Sequence, residues 1–198
     1  MISGNRNFLR DERGFAAGEF ALWLPIMLLI LLGCFETTRY ILINQKLDRA
    51  ATQVADLVGQ ADGITTGQLN AIYDAAIEQV KPYDLEVGGE IVVSSVYRNV
   101  GETDARVTWQ RTHGASLGGS AIGDEGEVAV LPTGFSLTES ENAIAAEVLY
   151  QFQPVFFGEL AGMKNLGGGP LFGDVFQATT FRHLAWARPR GANLVTAP

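Results

Sequence analysis

Cysteine is almost missing from this chain: 198 residues contain one, Cys34. A single thiol closes no internal disulfide, so the fold must be held by buried apolar surface whatever the redox state of its compartment. A hydrophobic content of 47% permits this. Histidine is nearly as scarce, and His113 and His183 each lack a nearby cysteine or second histidine, which argues against a zinc site. Positive charge is short too: 14 Lys and Arg face 22 Asp and Glu, a net charge of −8 that argues against nucleic acid as a partner. The signatures of chemistry are also absent. There is no G-x-x-x-x-G-K-[ST] loop, no strand–G-x-G-x-x-G–helix unit and no G-x-S-x-G elbow, and Asp124, Glu125 and Glu127 lack the alternating ligand spacing of a calcium loop. The sequence therefore leads us to expect no catalytic residue, no metal and no cofactor, and the acidic trio reads as a solvated turn.

What the chain does have is a long apolar run. From Phe15 to Phe35 the only charge is Glu19. As a helix this stretch reaches roughly 32 Å at 1.5 Å per residue, about the thickness of a bilayer's hydrocarbon core. Its far end, Leu32-Gly33-Cys34-Phe35-Glu36, offers no small-residue cleavage pattern, so the segment is expected to be kept as a transmembrane helix. The leader Met1 to Gly14 carries Arg6, Arg10 and Arg13 against Asp11 and Glu12. That excess predicts a cytoplasmic N-terminus and an exported remainder, although Arg39, Lys46 and Arg49 beyond the span reduce the bias. Removing the leader, whose arginines exceed its acids by one, takes the net charge to −9. Glu19 demands an explanation, because a carboxylate deep in a membrane costs about 2.5–3.5 kcal/mol and less toward the ends. Either it marks the cytoplasmic end of an anchor and snorkels to the headgroups, or it has a partner.

The residues around it resemble a known family. Arg13-Gly14-Phe15-Ala16-Ala17-Gly18-Glu19-Phe20-Ala21-Leu22 is similar to a type IV prepilin processing site, where a dedicated aspartic peptidase cuts after glycine and glutamate stands at mature position five. More narrowly, Phe8 to Gly14, Glu19 to Leu22, Leu24-Pro25 and a leucine-rich tract ending at Gly33, with Glu36 and Arg39 beyond, resemble the TadE-like pseudopilins of tight-adherence (Tad/Flp) pilus systems. About the first sixty residues carry this likeness. It implies a minor pilin processed after Gly14, with Phe15 as the new terminus and Glu19 neutralising the first-residue amine of a neighbouring subunit to set register. The cut would also leave Glu19 in the first turn of a helix, where exposed N–H groups and the helix dipole favour an anion.

The partners implied are a prepilin peptidase, other pilin and pseudopilin subunits, the inner-membrane assembly platform and membrane lipid. The implied role is pilus assembly, surface adherence and biofilm formation by a single-pass inner-membrane protein whose C-terminal domain is periplasmic or extracellular, with incorporation into the pilus. The absence of a large additional domain favours TadE or TadF over the longer TadG type. The competing expectation is an unprocessed bitopic anchor that presents a periplasmic binding or scaffold domain of an export complex.

The expected organisation is a leader, 1–14; a transmembrane and amphipathic helix, 15–58; and an exported α+β domain, 59–198. Past Glu36 the apolar residues thin to a stripe, Tyr40, Ile43, Leu47, Ala50, Ala51, Val54 and Val58, so one rod of about 66 Å is predicted to continue to Val58, with Pro25 inside it. Thr65 and Gln68 have capping-box spacing ahead of a second helix carrying Leu69, Ile72, Ala76, Ile77 and Val80, which Pro82 ends. Strands are predicted over 90–99, 105–112, 143–152 and 175–187, the first two forming an antiparallel hairpin about Gly101 to Asp104. Alternation places Ala105, Val107 and Trp109 on one face of the second strand. Trp109, Tyr150, Phe152, Phe176, Phe181 and Trp186 read as core, and the glycine-rich stretches 114–126 and 158–173 as surface loops. The fold class is α+β: a long pilin-like N-terminal helix packed on a short second helix and an antiparallel sheet of about four strands.

Overall fold

A computed structural model describes residues 13–61, 63–156 and 178–190, with side chains from residue 17 onward. Its first helix, α1, runs Arg13–Gly59 without a break, including Pro25. The chain divides into two compact units, residues up to Arg39 and residues from Tyr40 on. In the first unit α1 buries almost none of its apolar side chains. Leu22 is 76% exposed, Ile30 62% and Leu31 64%. A helix that is apolar all round and uncovered suits lipid or another apolar helix, not water.

In the second unit the same helix narrows to a stripe. Ile43, Leu47, Ala50, Ala51, Val54 and Val58 are buried as the spacing predicts, with Ala55 beside them. Tyr40 is the exception: it stays half exposed, with its ring edge-on to those of Phe152 and Phe181. Helix α2, Thr66–Val80, starts at the predicted cap, where the Thr65 hydroxyl accepts from Gln68 N and Gln68 Oε1 accepts from Thr65 N at 2.9 Å. Leu69, Ala76 and Val80 are buried from it, and so is Tyr73. A one-turn helix that the periodicity did not signal, α3 at Leu85–Gly88, leads into the sheet.

The four strands are β1 Gly89–Tyr97, β2 Arg106–Gly114, β3 Asn142–Phe152 and β4 Thr179–Ala187, antiparallel throughout in the order β2-β1-β3-β4. The predicted hairpin is β1–β2. The fourth strand is observed from Thr179: Ala178, predicted to belong to it, is irregular, and the predicted residues 175–177, Phe176 among them, lie outside the described residues. The ladder itself explains the start, because Thr179 pairs with Phe152, the last residue of β3, and Pro154 cannot extend it.

One face of the sheet packs on α1 and α2. Ile91, Val93, Trp109, Ile144, Ala146, Val148, Phe152 and Phe181 join the helix stripes there in one core. The expectation that Ala105 and Val107 share this face with Trp109 is wrong. Ser95 pairs with Trp109 but Val96 pairs with Val107, so Thr108 is an extra residue, a β-bulge that reverses the facing of the chain on either side of it. Ala105 and Val107 therefore lie on the opposite face, in a second core with Val96, Ala143, Ala145, Ile122, Ala129 and Leu137.

The covering layer of that second core is the connection between β2 and β3, residues 115–141. Its first part was predicted to be a surface loop, yet it is anchored. Ile122 is buried, and fully buried Glu147 of β3 accepts from the Ser120 hydroxyl, from Ala121 N at 2.9 Å and from Arg182 Nη1 at 2.7 Å. Glu90, also buried, accepts from Leu117 N at 2.7 Å. Carboxylates on the sheet satisfy backbone donors that a loop cannot satisfy alone. Farther on, residues 126–129 lie along the rim of β2: Val107 N donates to Glu127 O, Gly126 N to Val107 O and Ala129 N to Ala105 O. The Tyr73 hydroxyl donates to Arg111 O at 3.3 Å on the same strand. The second glycine-rich stretch, 158–173, is outside the described residues.

Candidate functional site: the exposed N-terminal helix

The sequence-predicted site residues all lie on α1. Gly14 and Phe15 occupy its first turn by backbone, their side chains falling outside the described set, and Glu19 follows as an exposed residue one turn on. The bond between Gly14 and Phe15 is far in sequence from the packed unit that begins at Tyr40. No acidic residue sits in the first turn of α1 as it stands in the full chain. A helix beginning at Phe15 would instead bring Glu19 within reach of the free N–H groups.

Beyond Glu19 the helix offers an open groove of about 510 Å³ whose walls include Phe20, Leu24, Leu28 and Leu31, with Cys34 at one end. Its lining is almost wholly apolar, so the occupant that fits is a hydrocarbon chain or a second apolar helix. Trp23 is exposed on the same segment. Where polar side chains reappear they are satisfied locally. The Thr37 and Thr38 hydroxyls donate back to Gly33 O and Cys34 O at 2.8 Å, and Arg39 Nη1 meets the Glu36 carboxylate at 3.2 Å, with Glu36 buried. Among the described residues, one helix is long and apolar enough to cross a membrane, and it is this one.

Among the described residues of the second unit no comparable case arises for chemistry. A cleft of about 620 Å³ is lined by Asp48, Arg49, Thr52, Gln79 and Arg190, but two of its arginines are engaged: Arg190 pairs with Asp56 across it at 3.3 Å, and Arg188 with Glu141 outside it at 3.0 Å. Burial holds the Tyr73 phenol well above its ordinary range, so it stays neutral and donates. His113 stacks on Tyr73, and His183 Nε2 lies 3.1 Å from Asn44 Oδ1. Among the described residues no cluster of three His, Cys, Asp or Glu could hold a metal ion. Glu147 and Arg182 are the charged pair that pattern reading missed. The signal was a lone carboxylate inside the strand Asn142-Ala-Ile-Ala-Ala-Glu147-Val-Leu, where the remaining residues after Asn142 are apolar.

Residues 14–56 match the sequence model of the family described as TadE-like protein. The match covers 43 of the 198 residues and lies within α1. No curated protein and no solved structure gives a significant match to the chain.

Proposed function

We propose, from the premise that the chain is TadE-like over residues 14–56, that it is a minor pilin or pseudopilin of a Tad-type pilus, a structural subunit and not an enzyme. In this reading it is made as a precursor and inserted in the inner membrane through Phe15 to Phe35, with its N-terminus cytoplasmic. A prepilin peptidase cuts after Gly14, and the subunit then joins other pilin and pseudopilin subunits at the assembly platform, serving adherence and biofilm formation. Phe15 supplies the new amine, and Glu19 neutralises the corresponding amine of a neighbour. The observation that carries the proposal is the coincidence of the family match with the helix whose apolar surface is left uncovered. Such a surface is unstable in water and calls for lipid first and neighbouring helices afterwards.

N-terminal sequencing and intact mass of the chain from its native host test the proposal directly. With the peptidase active, Phe15 should be the first residue, and Gly14→Leu should block processing completely. Glu19→Ala should be cleaved normally but fail to assemble. Recovery of the chain with Met1 still attached while the peptidase is active would overturn processing and leave the bitopic anchor. Normal assembly of Glu19→Ala would remove the register role.

A further inference from the structure

The uncovered apolar surface of α1 does not end at Phe35. Ile41 and Leu42 are 49% and 46% exposed, and Tyr40 is half exposed, whereas from Ile43 onward the apolar stripe is buried. Polar groups in this stretch are satisfied within the helix: besides the Thr37 and Thr38 hydroxyls, Asn44 Nδ2 donates to Tyr40 O at 2.8 Å. Exposed apolar side chains combined with satisfied polar ones suit a surface poor in water. At this end of the packed unit the Tyr40 ring lies 5.8 Å from that of Phe152 and 4.8 Å from that of Phe181. The chain leaving Phe152 then presents Val155 and Phe156, 56% and 41% exposed.

We infer that this end of the packed unit is a bilayer-contact surface, with Tyr40, Ile41, Leu42, Val155 and Phe156 seated in the interfacial layer of the membrane that holds α1. The inference rests on reading α1 as a membrane anchor. Its lengths agree: from Glu19 to Glu36 a helix rises about 26 Å, close to the hydrocarbon thickness, and the next turn and a half, to Leu42, rises about 9 Å through the headgroup zone. Tyr40, with an apolar ring and a polar hydroxyl, suits that zone, where one side is apolar and the other wet, and Val155 and Phe156 add apolar area on its lipid side. The occupant is phospholipid held by apolar burial and not by charge. The chain carries a net charge of −8, and nearby cations are committed: Arg39 to Glu36, Lys46 to the carbonyls of Gln79 and Lys81, Arg182 to Glu147.

The test uses the full chain with Cys34→Ser, reconstituted at low protein-to-lipid ratio in phosphatidylcholine vesicles. Single nitroxide labels are attached through Leu28→Cys, Leu42→Cys, Phe156→Cys or Val100→Cys. Val100 lies beyond the opposite end of the sheet, about 34 Å from Phe152 along β3. Relaxation by oxygen, which concentrates in lipid, is compared with relaxation by a water-soluble nickel chelate. The labels at 28, 42 and 156 should favour oxygen several-fold and the label at 100 the chelate, with no change on raising salt. If 42 and 156 behave like 100 while 28 stays in lipid, the contact surface is wrong and the anchor stands. If 28 is also wet, the anchor itself falls. Shielding of 42 and 156 from both reagents only at high protein density would make a second copy the occupant, and withdrawal at high salt would mean attachment by charge. Either result overturns the inference.

Discussion

One helix, α1, lives in two environments. Between residues 20 and 31 its leucines, isoleucines and aromatics face outward, while between 43 and 58 the aliphatic stripe of Ile43, Leu47, Val54 and Val58 is buried in a core shared with α2 and the sheet. Helical geometry is common to both stretches. The difference is patterning: the first is apolar on every side, and the second interleaves Gln45, Asp48, Arg49, Thr52 and Asp56 with its stripe. The first half therefore leaves its apolar surface uncovered, and the second carries the stability of the packed unit.

The sharpest way to break this comparison is a matched pair of truncations. Leu47→Ala empties a fully buried position and should cost about 3–5 kcal/mol, whereas Leu29→Ala should leave denaturant unfolding in detergent unchanged. Equal effects would mean that the exposed half has a core of its own. The second pair compares charges. Glu147→Ala removes the acceptor shared by the Ser120 hydroxyl, Ala121 N and Arg182, which keeps only Gly119 O, for a loss of about 3 kcal/mol, at the low end for a buried pair because Arg182 is partly exposed. Glu19→Ala should cost no folding stability. The third pair compares hydroxyls: Thr65→Ala removes a capping box and should cost about 1 kcal/mol, while Thr37→Val loses only a bond back to its own helix and should be close to neutral.

The smallest effect is a pH effect confined to the packed unit. The backbone N–H of Thr138 holds the Glu141 carboxyl below its ordinary value of 4.5, with further help from the Thr138 hydroxyl and Arg188. A lowered folded-state value means that this contribution is present above pH 4.5 and is lost as pH falls through the folded value. Glu141→Gln should therefore be slightly less stable than the parent at pH 7, and the gap in melting temperature should close on acidification. A gap that persists in acid would assign the loss to packing.

Much of this architecture is legible in the residues alone. The stripe from Ile43 to Val58, the Thr65–Gln68 cap and the alternation of Ile144, Ala146 and Val148 are local patterns, and local patterns survive folding. Two features are not local. The facing of Val107 depends on one unpaired residue, Thr108, which alternation cannot reveal because it is defined only against the partner strand. The covering role of residues 115–141 depends on Glu147 and Glu90, which supply acceptors from strands distant in sequence. Tyr73 was missed on α2 for a similar reason: its ring is enclosed by His113, and its hydroxyl is spent on Arg111 O. For the proposed processing segment the reading rested on Gly14, Phe15 and Glu19, a short motif that, if it is cut, is read by another protein's specificity and not by this chain's packing.

The seam formed by residues 126–129 along β2 has a consequence for how copies of this molecule meet. A bare outermost strand invites a twin to zip on through its main chain, the usual route to fibrous misassembly. Here Ala105 and Val107 have already spent main-chain groups on that seam, and Arg111 has lent its carbonyl to a tyrosine. Lateral zipping is blunted on this flank. In the proposed pilus, ordered stacking of subunits would then be left to the apolar helix Phe15 to Phe35.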